Sequence, residues 1–91
     1  MARGVFYKVR VEMVERFGTD TAFLYAVLEN ASKVWEKDKN GYFTVWLKYL
    51  AERTRWSKPK IIRERKRLMD LGLLKFVAGK NQNIGGKYKL L

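Results

Sequence analysis

The sequence predicts an α+β fold with three main helices, a small β-sheet and a C-terminal β-hairpin, preceded by a short N-terminal extension. Three observations predict it. Apolar residues recur at steps of three and four between about Asp20 and Lys37, the spacing of an amphipathic helix. A second, shorter helical pattern is followed after three or four residues by a strongly basic one. Two short apolar segments then flank a loop rich in Gly and Asn, which is typical of a hairpin.

The composition limits the classes of protein to which the chain can belong. The 91 residues are enough for one domain with a modest core, which we expect to span residues 1–91. The chain has no cysteine and no histidine, which excludes disulfides and the usual zinc sites. No apolar run has the length of a transmembrane helix and no signal peptide is visible, so we expect a cytoplasmic protein without membrane contact.

Positive charge is concentrated in one segment. The formal net charge is +11, from 20 basic and 9 acidic residues. Residues 53–67 hold eight basic residues and one acidic residue, whereas residues 11–38 carry a net charge of −3. A charged surface that is merely solvated usually mixes both signs. The pattern therefore favours a face that binds a polyanion.

The N-terminal extension is predicted to cover residues 1–18. Residues 5–11 alternate between an apolar face and a mostly basic one, which predicts a strand. Met13, Val14 and Phe17 have helical spacing and predict a short turn of helix after it.

The first two main helices follow the extension. Helix 1 is predicted at residues 19–38 and helix 2 at residues 45–53, each with apolar residues on one face. Lys39-Asn40-Gly41 signals a turn, and the aromatic and β-branched residues 42–45 predict a short strand.

The basic helix is predicted at residues 57–71, with signals at both ends. Ser57 can cap its N-terminus by accepting a hydrogen bond from a backbone N–H of the first turn. Trp56 and Ile61 have the spacing of a hydrophobic staple. Gly72 can take the left-handed conformation that ends a helix. Residues 73–91 then predict a hairpin with a long basic loop.

This order of elements resembles a winged-helix (winged helix-turn-helix) domain over residues 19–91. Many such domains have an apolar–alanine pair in the second helix, a serine opening the third, and a Leu followed by Gly-Leu-Ile or a similar run after it. The segments that carry the resemblance are Gly41-Tyr42-Phe43-Thr44, Leu50-Ala51-Glu52-Arg53-Thr54, Ser57-Lys58-Pro59-Lys60-Ile61-Ile62-Arg63 and Leu68-Met69-Asp70-Leu71-Gly72-Leu73-Leu74.

One residue departs from the family pattern. Arg65 stands where such domains usually have an aliphatic core residue. Either its stem packs while its head reaches water, or the helix is rotated so that Ile62 shares the core.

The resemblance implies binding of double-stranded DNA, with the basic helix as recognition helix in the major groove. Lys58, Lys60 and Arg63 are expected to reach base edges. Phosphate contacts are expected from Arg53, Arg55, Ser57, Lys66 and Arg67. The wing tip is expected to reach the minor groove or backbone through Lys80, Asn81, Gln82, Asn83 and Lys87.

Several functions remain open, some within DNA binding and others outside it. We expect a sequence-specific transcription regulator, since small members resemble regulators of archaea and archaeal viruses. The alternatives are a replication initiator or accessory protein of a phage or plasmid, in whose domains an N-terminal strand also occurs, and a protein-interaction module. Binding of RNA or single strands stays open because Tyr42, Trp46 and Trp56 lie near the charge.

No enzyme activity is expected, since the chain lacks histidine, cysteine, a phosphate-binding glycine motif and a carboxylate cluster with metal spacing. No cofactor, metal or small-molecule ligand is expected either. A homodimer through residues 1–30 is a further hypothesis, with Val5, Tyr7, Val9, Phe17 and Tyr25 as its surface.

Overall fold

The computed structural model describes residues 7–79 and 86–91 of the chain. The α+β class is confirmed, because the described residues form four helices and one three-stranded antiparallel sheet. In chain order these elements are α1 (Val11–Phe17), α2 (Thr19–Val34), β1 (Phe43–Val45), α3 (Leu47–Thr54), α4 (Lys58–Asp70), β2 (Leu74–Ala78) and β3 (Gly86–Leu90).

The core forms around α2. Leu24, Val27 and Leu28 are fully buried, because their spacing of three and four places them on one side of the helix. In α4 only Ile61 and Leu68 are buried. These two residues lie two turns apart, so α4 contributes a narrow apolar stripe to the core. Most of the surface of α4 is therefore available for other contacts.

The sheet has the strand order β1-β3-β2, so the last strand lies in the middle. Tyr88 of β3 is fully buried and is paired with Phe43 of β1 on one side and Phe76 of β2 on the other. Its ring lies 6.1 Å from that of Phe43 and 4.9 Å from that of Phe76, between ring centroids. This aromatic row anchors the hairpin β2–β3 beside α4.

The N-terminal segment differs from the prediction. No strand is present at residues 7–10, and Val11 already begins α1. Two residues of the segment instead contact α2, while Val9 and Val11 stay exposed. Tyr7 packs edge-to-face on Phe23, with the ring centroids 5.9 Å apart, and Arg10 forms an ion pair with Glu29 at 2.8 Å. The short helix predicted after the strand is present as α1.

Two helix boundaries shift for local reasons. The structure ends α2 at Val34, where the sequence predicted helix to residue 38, because Trp35 is extended and Lys37 forms a bridge with Phe43. It begins α3 at Leu47 and not at residue 45, since Val45 is still paired with Gly86 in the sheet.

Candidate functional site

A tight turn joins α3 to the basic helix α4. The Thr54 hydroxyl donates to the Leu50 carbonyl at 2.7 Å and accepts from the Trp56 backbone N–H at 3.1 Å. Arg55 adopts the left-handed conformation, with φ of 64°, and so reverses the chain within three residues. The two hydrogen bonds of the Thr54 hydroxyl join the end of α3 to the turn and so keep the two helices close together.

Both ends of α4 carry the predicted signals. The Ser57 side chain accepts from the Lys60 backbone N–H at 3.4 Å, and the helix begins at Lys58. At the other end Gly72 has φ of 77°, and its N–H donates to the Met69 carbonyl at 3.0 Å. The Leu73 N–H donates to the Leu68 carbonyl at 3.0 Å, which completes a Schellman motif.

One flank of α4 lies against α1 and α2. Lys60 Nζ lies 3.0 Å from Asp20 Oδ2 and 4.7 Å from the centroid of the Trp56 ring. One turn on, Glu64 accepts from the hydroxyl of the buried Thr21 at 2.9 Å. Arg67 donates to the Phe17 carbonyl at the end of α1, at 3.1 Å. Lys60 and Arg67, both predicted to contact DNA, are therefore held by the protein on this flank.

The opposite flank of α4 lies against the hairpin. The Arg65 guanidinium carbon lies 3.9 Å from the centroid of the Phe76 ring, and Nη1 donates to the Tyr88 hydroxyl at 3.0 Å. Burial raises the pKa of Tyr88, and the neighbouring Arg65 charge partly opposes that rise.

This arrangement overturns one of the two alternatives considered for Arg65. Its side chain is half-buried and its guanidinium lies on an aromatic ring. Ile62 does not share the core, since 45% of its surface is exposed, whereas the neighbouring Ile61 is fully buried.

The outward face of α4 lies between these two flanks and carries exposed cations. Arg63 and Lys66 lie on this face and are exposed, and Lys58 is exposed in the first turn of the helix. Lys66 has an acidic neighbour, Asp70, but its Nζ is 3.7 Å from that carboxylate and its side chain is 74% exposed. Such a pair on the surface contributes little and leaves the lysine available. We call Lys58, Arg63 and Lys66 the open basic face.

The other predicted contact residues fall into three groups. Ser57, Arg53 and Arg55 are exposed around the turn before α4, and the Arg53 guanidinium lies 5.1 Å from the centroid of the Tyr49 ring. Lys87 is exposed on β3 and lies 3.4 Å from Asp38 Oδ2. The wing-tip candidates Lys80, Asn81, Gln82 and Asn83 lie outside the described residues.

The aromatic residues near the charge are not equally accessible. Trp56 is half-buried and packs edge-to-face on Phe23 at a centroid distance of 5.8 Å. Tyr42 is half-buried, with Lys89 Nζ 5.6 Å from its ring centroid. Trp46, directly before α3, is 51% exposed. Of the three, only Trp46 offers an open ring surface for stacking.

Two kinds of feature are absent from residues 7–79 and 86–91. No helix there is both long and apolar enough to cross a membrane. No cluster of three or more histidine, cysteine or acidic side chains there has the arrangement of a metal site.

Comparison with known proteins finds a similarity of fold. No protein-family model and no curated protein matches it. The chain is similar to a solved structure described as "N-Terminal domain of DNA binding protein", with a TM-score of 0.71 and 22% sequence identity. The match covers 96% of this chain and 74% of the other chain. At this identity the match establishes a shared fold.

Proposed function

We propose that this protein is a winged-helix domain that binds double-stranded DNA with α4 in the major groove. The observation that carries the proposal is the open basic face. Arg63 and Lys66 project from the outward side of α4, and Lys58 is exposed in its first turn, whereas Lys60, Arg65 and Arg67 each contact the rest of the protein. A single helix fits the width of the major groove. A protein of the same fold is described as DNA-binding, which supports the proposal.

The residues of this face take different roles. Arg63 lies in the middle of α4, and its guanidinium can donate two hydrogen bonds to the O6 and N7 atoms of guanine. Lys58 and the Ser57 hydroxyl lie at the positive end of the helix, where a phosphate is stabilised. Lys66, Arg53 and Arg55 supply further phosphate contacts, which position the helix without selecting a sequence. Lys60 is less available to DNA than these residues, because its ammonium group pairs with Asp20.

Within DNA binding we propose a sequence-specific transcription regulator. A replication initiator or accessory protein and a winged-helix protein-interaction module are the alternatives. A homodimer through residues 1–30 belongs to the same proposal, since DNA-binding domains of this size often bind two half-sites as dimers. Val9 and Val11 remain 37% and 68% exposed and can contribute to that contact. A monomeric mass by light scattering at high concentration would exclude the homodimer.

The experiment that tests DNA binding reverses one charge of the open basic face. We expect Arg63→Glu to weaken binding of duplex DNA at least tenfold, because it removes a guanine or phosphate contact and adds a repulsive charge. Affinity is measured by fluorescence anisotropy over a series of salt concentrations. The unchanged protein should give a logarithmic salt slope of roughly −3.5 to −4.5, as expected if four or five of the cations named above contact phosphate.

The matched control is Lys33→Glu. Lys33 is an exposed cation in the last turn of α2, and its reversal changes the net charge by the same amount. Equal weakening by the two variants would mean that net charge alone drives binding, and would remove α4 as the interface. A salt slope shallower than about −2 for the unchanged protein would have the same consequence.

Single-stranded nucleic acid is the second candidate ligand, and the exposure of Trp46 favours it. An exposed ring beside cations can stack on an unpaired base, for roughly 1–3 kcal/mol. Competition between a duplex and its separate strands distinguishes the two ligands. If single strands win, and Trp46→Ala abolishes their advantage, the duplex proposal is wrong.

A further inference from the structure

One aliphatic side chain stands beside the open basic face. Ile62 directly precedes Arg63 and is 45% exposed, although the neighbouring Ile61 already supplies the core contact of this turn. Isoleucine is a weaker helix former than alanine or leucine, so helix propensity does not account for it at an exposed position. Single exposed apolar residues are common on protein surfaces. The informative feature of Ile62 is therefore its position, and not its exposure alone.

That position is defined by the contacts of its neighbours. Ile62 and Arg65 are three residues apart and share one side of α4, on which Arg65 contacts the hairpin. Arg63 and Lys66 lie on the outward side. Ile62 therefore lies at the border between the open basic face and the hairpin, in the N-terminal half of the helix. With α4 in the major groove, this is the half whose side chains meet base edges.

An aliphatic side chain has one apolar partner in the major groove. All four bases present hydrogen-bonding groups there, including the O4 acceptor of thymine, but only thymine also presents a methyl group, at C5. An isoleucine pressed against any other base leaves polar groups without hydrogen bonds. Beside an arginine that contacts guanine, Ile62 thus favours a neighbouring thymine.

We infer that Ile62 is a specificity-determining residue that contacts a thymine methyl group next to the base pair contacted by Arg63. The inference rests on the proposed function and names the chemistry of its ligand. The bound duplex carries a thymine at this step, and removal of that single methyl group weakens binding only when Ile62 is present.

The experiment replaces thymine by deoxyuridine, which lacks the methyl group and keeps the hydrogen-bonding pattern. A duplex is first selected from a random pool with the full chain, and each thymine in it is then replaced singly. We expect the unchanged protein to lose about fourfold in affinity at one or two positions, the effect of one apolar carbon removed from water. Ile62→Ala should bind the original duplex more weakly and lose less than about twofold at those same positions.

Two further variants complete the design. Val34→Ala truncates an exposed aliphatic residue at the far end of α2, roughly 20 Å along that helix from the Thr21 contact with Glu64, and should keep the sensitivity of the unchanged protein. Ile62→Gln keeps a side chain of similar length that suits a helix but ends in a polar amide, so it serves if the shorter Ile62→Ala unfolds.

The outcomes separate this inference from the proposed function. If duplexes bind tightly and Arg63→Glu weakens them, yet no deoxyuridine has an effect, the role of Ile62 is refuted and DNA binding stands. The same holds if Ile62→Ala and Ile62→Gln keep the full sensitivity to deoxyuridine, or if no sequence is enriched although duplexes bind. If no duplex is bound at all, the proposed function fails and this inference with it.

Discussion

Replacement of Arg65 tests how α4 is held against the hairpin. Arg65→Met removes a guanidinium that lies on the Phe76 ring and donates to the hydroxyl of the fully buried Tyr88. The lost cation–π contact is worth about 1–2 kcal/mol. The Tyr88 hydroxyl then lacks the guanidinium partner it has now, which costs about 1–3 kcal/mol. The methionine side chain recovers part of this lost stability by packing on the Phe76 ring.

We therefore expect Arg65→Met to lower the free energy of unfolding by about 2–3 kcal/mol. For a domain of this size the melting temperature should fall by roughly 8–24 °C. The assay is thermal and urea unfolding followed by circular dichroism. Tyr88→Phe alone should cost about 1 kcal/mol, since it removes one hydrogen bond and leaves no buried hydroxyl.

The double variant gives the sharper test. Combining Arg65→Met with Tyr88→Phe removes the unpaired hydroxyl, so we expect the double variant to be at least as stable as Arg65→Met alone. Arg65→Lys is the matched control, because it keeps the charge and loses the planar stacking. Purely additive costs, or a loss below about 0.5 kcal/mol for Arg65→Met, would refute the view that Arg65 joins helix and hairpin.

Two further predictions concern the hairpin and the end of α4. Gly86→Ala should destabilise by about 3 kcal/mol, because the added Cβ would collide with the Val77 carbonyl oxygen and lie 2.6 Å from the Phe76 ring. The Cβ added by Gly72→Ala meets no atom of the described residues within 4 Å, so this change should cost only about 1 kcal/mol, from the left-handed backbone. Urea unfolding of both variants checks the order, and a larger loss at Gly72 would contradict it. The pKa of Tyr88 is raised above its ordinary value of 10.0, so its contribution to stability is complete below pH 10 and is lost as the pH rises from there through the folded-state pKa. The melting temperature of the unchanged protein should thus fall more steeply above pH 10 than that of Tyr88→Phe, and parallel curves for the two proteins would show that Tyr88 is not responsible.

The signals at the two ends of α4 are recognisable in the sequence alone. The Ser57 cap and the Gly72 stop depend on hydrogen bonds between residues a few positions apart, so the local sequence specifies them. The buried side of α2 is also specified locally, because apolar residues three and four positions apart share one side of a helix. The concentration of cations in residues 53–67 is likewise a property of the chain alone.

The strand expected over residues 5–11 marks the limit of that local information. An alternating pattern predicts that one side of a segment is buried, but it does not identify the element against which that side packs. Here residues of both alternating faces contact a helix, Tyr7 through Phe23 and Arg10 through Glu29, while Val9 and Val11 of the apolar face stay exposed. A segment without a neighbouring strand edge has no ladder of hydrogen bonds to join, so it remains irregular.

The division of the cations of α4 was decided by tertiary structure. Composition and spacing identified six basic residues in this helix, and with them the kind of partner to expect. Which of them face outward depends on Asp20, Phe17 and Tyr88, residues far away in the chain that engage Lys60, Arg67 and Arg65. Helical periodicity defines the orientation of a helix only to a fraction of a turn, and packing against distant elements sets the rest. That packing leaves Arg63 and Lys66 exposed on the outward side and Lys58 exposed in the first turn, with Ile62 beside them.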